Sequence, residues 1–161
     1  MTTTSTGAWR SASAQVTATV QAPPEQLYAL VADLPRMGEW SPENTANEWI
    51  GGATHAVPGA RFRGANRSGL RRWSTTCTVL VADPGRLLSW ESKFLGMPIA
   101  QWTYRFEPEG EGCTVVTETV EDRRSRLMRA MQPVTGVKDR AAHNRATMEV
   151  TLERLKTAVE S

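Results

Sequence analysis

Cysteine and histidine are scarce: the 161 residues contain two of each. Cys77 and Cys113 fall in apparent strands and in no CxxC spacing, so two free buried thiols are expected rather than a disulfide or a metal site. His55 falls in a loop region and His143 in a helical one, with no carboxylate at ligand spacing, so neither zinc nor iron is expected. There is no phosphate loop, dinucleotide fingerprint or nucleophile elbow, so no cofactor is implied. No apolar run approaches the roughly 18 residues that span a bilayer, which excludes stable membrane insertion by a helix. Residues 1–13 are rich in Ser and Thr and lack the apolar core of a signal peptide, so they are expected to form a disordered tail on a cytoplasmic protein. Net charge is only +2, too small to imply a nucleic-acid partner. Arg61, Arg63, Arg67, Arg71 and Arg72 do cluster, as do Arg123, Arg124, Arg126 and Arg129. Neither group has reading elements beside it, and both are expected on solvated faces.

What is present reads as one domain over residues 14–161. Ala14, Val16, Ala18 and Val20 alternate with polar residues, the period of a half-buried strand. Pro23-Pro24-Glu25 then opens a helix whose Leu27, Leu30, Val31 and Leu34 recur at helical spacing. Asp33 is placed as the N-cap of a second short helix running through Trp40. From Asn47 to Glu121 the pattern is six strands separated by Gly, Pro and Asp turns, an antiparallel meander. A helical stretch over 123–132, a break near Pro133 and Gly136, and a long amphipathic helix from about Lys138 to Val159 complete the chain. Arg145/Glu149 and Glu153/Lys156 are spaced to support that helix slightly.

This order resembles the helix-grip fold of the START-like (SRPBCC) superfamily, an α+β fold in which a curved antiparallel sheet wraps a long C-terminal helix. The local matches are Ala22-Pro23-Pro24-Glu25 with Leu27 to Asp33, Met37 to Glu43, Gly59 to Gly64, the Trp102, Tyr104, Phe106 alternation, and Met148 to Lys156. They span roughly residues 14–159 and most resemble the bacterial polyketide cyclase/dehydrase and lipid-transport group. The resemblance implies a cavity for an apolar small molecule, such as a lipid, polyketide or aromatic metabolite, between sheet and closing helix.

Strand alternation then names the wall of such a cavity. Phe62, Gly64 and Asn66 share one face. So do Trp73, Thr75, Cys77 and Val79, then Leu88, Trp90 and Ser92, and finally Trp102, Tyr104 and Phe106. Taken singly, each is better explained as ordinary core; as a set, the aromatic faces with small and polar residues between them suit a wall with room for a ligand. Glu118 lies between Val116 and Val120 on the face that the family register turns inward, and is the candidate catalytic acid or base. The alternatives are a surface glutamate or an ion pair with Arg105. Asn144 and Met148 are expected to face the pocket from the closing helix, with His143 exposed beside them. Binding is the leading function. An aromatase/cyclase-type enzyme using the same pocket, or an interaction module with a filled cavity, are the alternatives; oligomeric state is not legible.

Overall fold

The computed structural model describes residues 13–130 and 139–161. The expected tail through residue 12, the end of the 123–132 stretch and the break near Pro133 and Gly136 lie outside the described residues. The elements in chain order begin with β1 (Ala14–Val20), α1 (Pro24–Ala32) and a 3-10 helix (Leu34–Glu39). Strands β2 (Asn44–Ile50), β3 (Arg61–Ser68), β4 (Arg71–Asp83), β5 (Leu87–Phe94), β6 (Met97–Pro108) and β7 (Thr114–Asp122) follow. The chain closes with α2 (Arg126–Ala130) and α3 (Arg140–Glu160).

The strands form one antiparallel sheet in the order β1-β7-β6-β5-β4-β3-β2. Register shifts near Asn44, Val79 and Ser92 add a residue on one strand only, which bends the sheet around its concave face. That face carries the core. Val20, Phe62, Cys77, Val79, Leu88, Tyr104, Phe106 and Val116 project into it, against Leu27, Tyr28 and Val31 of α1 and Leu152 and Leu155 of α3. Alternation thus meets the structure strand by strand, because one face of each strand must leave water and the other need not. This is the helix-grip fold.

The short second helix differs from its reading. It is 3-10, closed by i→i+3 bonds such as Arg36 N to Asp33 O and Trp40 N to Met37 O. Asp33 makes no side-chain cap; it ends α1 at φ −77°, ψ 72°. The segment is pressed against β2, where a Cβ at Gly38 would lie 2.2 Å from the Thr45 carbonyl oxygen. Asp139 does cap α3, accepting from the Ala142 N–H at 3.1 Å. The expected intrahelical pairs on α3 give way to longer reaches: Arg145 and Lys156 donate to the Gln15 and Thr19 carbonyls of β1. Both cysteines are free, Cys77 buried and Cys113 half-buried.

Candidate functional site

The cavity lies where α3 begins, between its first turns and the middle of the sheet, and it has two lobes. The inner lobe holds about 70 Å³ and the outer about 110 Å³, each several times the roughly 10–15 Å³ that one water needs. Asn66, Thr75, Ser92, Trp102 and Glu43 line both, so the lobes adjoin. Phe62, Trp90, Tyr104 and Glu118 belong to the inner lobe, and Trp73 and Asn144 to the outer. Nine of the ten residues named from sequence therefore face this space. Met148 does not: it is buried in a small cluster with Ala14 and Val120, one turn beyond Asn144 on the side of α3 that meets β1.

The apolar wall is a run of rings. Trp90 stacks on Tyr104 at 5.7 Å between centroids, Tyr104 on Phe106 at 6.5 Å, and Phe62 meets Trp90 edge-on at 6.0 Å. The register that makes Trp90 face Trp102 and Tyr104 face Glu118 brings them together. Beside the rings, on the same face of the sheet, runs a polar lane. Asn47 donates to the Leu34 carbonyl (2.8 Å) and to Asn44 (2.7 Å), Asn44 to Asn66 (3.2 Å), and Asn66 to Thr75 (3.2 Å). Gly64 leaves room for this lane: a Cβ there would sit 2.8 Å from Thr75 Oγ1 and 3.0 Å from Asn47 Oδ1.

Glu118 is 3 % exposed and has no arginine partner among the described residues. Arg105 is exposed and pairs in register with Thr117, on the opposite face of the sheet, so the surface and Arg105 readings both fall. Tyr104 Oη donates to Glu118 Oε1 at 2.7 Å. Burial pushes the Glu118 carboxyl up to about 8, against the downward pull of that hydrogen bond. The Tyr104 hydroxyl is raised well above its ordinary value, first by burial and then by the Glu118 charge and hydrogen bond, so it stays a donor. At neutral pH the carboxyl is protonated, and with Oε1 accepting from Tyr104 its proton is placed on Oε2. Oε2 has no hydrogen-bond partner among the described residues. Nor does Asn144 Oδ1, buried in the outer lobe.

Sequence reasoning missed the ion pairs at the mouth. Glu43, just before β2, accepts from Arg140 and contacts His143 Nε2, which makes His143 half-buried rather than exposed. The Arg140 guanidinium also lies over the Trp73 ring, 5.9 Å from its centroid. Asp122, at the end of β7, is gripped by Arg124 through Nε and Nη2, both at 3.0 Å, with Arg129 Nε 3.2 Å away as a charge contact. Burial pushes the Asp122 carboxyl up, but the Arg124 hydrogen bonds and the two cationic charges outweigh it and hold it below the usual range. Two of the arginines expected on a solvated face thus fold α2 back over the outer lobe, where Met128 lines the wall. Glu43 and Arg140 are 97 positions apart, a pairing that no local spacing announces.

A curved sheet gripping a helix over an aromatic-walled cavity defines the START-like, or SRPBCC, class. Within it, the chain belongs to the family described as polyketide cyclase / dehydrase and lipid transport, whose profile matches residues 11–160. That family is associated with the binding of hydrophobic small molecules. Among solved structures, the chain is similar to the Polyketide_cyc-like protein Cgl2372 of Corynebacterium glutamicum, with 30 % identity, a TM-score of 0.62, and coverage of 94 % of this chain and 93 % of that one. It is similar in fold to CV1439 of Chromobacterium violaceum, with 16 % identity, a TM-score of 0.69, and coverage of 93 % and 98 %. DynU16, a protein of the dynemicin biosynthetic locus, shares the fold at 18 % identity and a TM-score of 0.65, and 94 % of this chain covers 48 % of it. No curated protein sequence matches the chain significantly. Among the described residues no helix is long and apolar enough to cross a membrane, and no group of three or more His, Cys, Asp or Glu converges as a metal site.

Proposed function

We propose that the protein binds an apolar polyketide-like or aromatic small molecule whose carbonyl oxygen accepts a hydrogen bond from the protonated Glu118 carboxyl in the inner lobe. The observation that carries this reading is the Tyr104–Glu118 pair: one carboxyl oxygen satisfied, the other buried without a partner, beneath stacked rings. A buried polar atom left unpaired costs about 1–3 kcal/mol, which a ligand acceptor would recover. Asn144 Oδ1 supplies the complementary acceptor at the outer end, suited to a ligand hydroxyl. Phe62, Trp73, Trp90 and Trp102 would sandwich the apolar body, with Asn66 and Thr75 along its polar edge.

A matched pair of polycyclic ligands, one a ketone and one its alcohol, tests this by fluorescence titration. The ketone should bind more tightly below pH 8 and lose that advantage above it. Glu118→Leu should weaken the ketone by about tenfold, or about 1.4 kcal/mol. Glu118→Gln keeps an acceptor for Tyr104 and an N–H donor for the ligand, so it should bind the ketone independently of pH. Equal affinities of wild type and Glu118→Leu for both ligands would refute the reading.

The same geometry favours a second reading, a cyclase or dehydratase in which Glu118 protonates a ligand carbonyl and accepts the proton back. A carboxyl with a pKa of about 8 is matched to proton transfer near neutral pH. Glu118→Gln separates the two: a pure binding protein keeps its function, whereas an enzyme binds and does not turn over.

A further inference from the structure

The end of the sheet that surrounds the cavity mouth carries a feature that neither folding nor ligand binding explains. Because the strands alternate in direction, the β3–β4 turn, the β5–β6 turn and the end of β7 with α2 all lie at this end. Each bears a solvent-exposed leucine: Leu70 at 99 %, Leu95 at 81 % and Leu127 at 70 %. Each lies within three residues of a lining residue of the outer lobe, respectively Trp73, Phe94 and Met128. Leu95 is also in the wrong conformation for its residue type. It has φ +50° and is followed by Gly96 at +79°, a two-residue turn that favours Asn, Asp or Gly at its first position. A leucine held there against backbone preference, and out in water, contributes nothing to the fold.

The charge around these tips is predominantly basic. The sequence has no acid from residue 49 to 82, from 92 to 106 or from 123 to 130. Arg67, Arg72 and Arg126 are exposed beside the tips. The carboxylates at this end are already engaged: Glu43 and Asp122 in the ion pairs inside the mouth, Glu121 with Arg123, and Asp139 as the cap of α3.

We infer that this end of the molecule docks reversibly on an anionic phospholipid surface, seating the mouth of the cavity against the bilayer. Three leucines on separate tips offer no packed apolar patch for a protein partner's hot spot, whereas a bilayer interface accepts apolar side chains one at a time. Arginines beside them meet lipid phosphates, where their forked donors bind in pairs. An apolar cargo leaving the mouth would then pass into hydrocarbon without crossing water.

Vesicle flotation of the full chain without cargo tests this separately from the cavity reading, since docking can fail while the ligand titration stands. Protein should float with vesicles of phosphatidylcholine containing one-third phosphatidylglycerol, and not with phosphatidylcholine alone; added salt should weaken it. Leu70→Ser combined with Leu95→Asn should cut vesicle binding at least about tenfold, with an unchanged melting temperature, because asparagine suits that turn. Arg72→Gln combined with Arg126→Gln should abolish the preference for anionic vesicles at unchanged fold. The inference is overturned by no flotation on anionic vesicles, by flotation that both double variants leave intact, or by capture of a small acidic protein through these residues with no vesicle binding.

Discussion

Replacing Glu118 by glutamine should stabilise the protein at neutral pH, and by an amount that grows with pH. A carboxyl raised in the folded state to about 8, from an ordinary 4.5, binds its proton more tightly folded than unfolded. Its contribution is therefore fully present below about pH 4.5 and is lost as pH rises through the folded value. Each pH unit in that window costs the wild type about 1.4 kcal/mol. At pH 7 the deficit relative to a neutral side chain reaches about 3 kcal/mol, and above about pH 8 it levels off. Glutamine keeps the shape and the acceptor for Tyr104 Oη and has no proton to lose. Urea unfolding of both proteins at intervals from pH 5 to 9 measures the difference directly. The two should be nearly equal at the acid end and diverge towards pH 8. All other ionisable groups are common to both proteins and cancel. A difference that stays flat across this range would refute the reasoning, since it would mean that Glu118 titrates alike in the folded and unfolded chains.

Two further substitutions address how the cavity is held. Glu43→Gln removes the charge that Arg140 and His143 share, and should cost about 1–3 kcal/mol; hydrogen exchange should quicken at residues 140–148 while Leu152 and Leu155 stay protected. Gly64→Ala pushes a methyl group against Thr75 Oγ1 and the asparagine lane, and should lower stability by about 1–3 kcal/mol, read from the urea midpoint, and weaken ligand binding with it.

The architecture was legible because it rests on short-range rules. Period-two alternation marked the inner face of β7 through Thr114, Val116, Glu118 and Val120, and all four are buried. Turn residues placed the hairpins, and the resemblance to the helix-grip fold fixed which face closes over the helix. Glu118 stood out as the one charged residue on a face otherwise made of Thr114, Val116 and Val120. What could not be read was pairing across long separations. Whether Glu118 meets Arg105, Tyr104 or nothing depends on which strand faces which, and alternation alone gives a face without naming its partner. Glu43 with Arg140, and Asp122 with Arg124 and Arg129, looked like ordinary surface charge until the fold closed the mouth around them.

The two kinds of polar residue divide the site's work in a way their surroundings explain. Glu43 and Asp122 sit at the rim, where arginines reach them: Asp122 is as buried as Glu118, but Arg124 and Arg129 offset the cost of its charge, and Glu43 is paired with Arg140, so both serve as clamps. Glu118 sits deeper, beyond the reach of any cation among the described residues, so burial makes the neutral acid its resting form. A carboxyl that has to hold its proton to remain buried is a hydrogen-bond donor at neutral pH, a role that carboxylates at the rim cannot fill. The inner lobe is thereby selective for a ligand acceptor, and the burial that destabilises the fold as pH rises is what creates that selectivity.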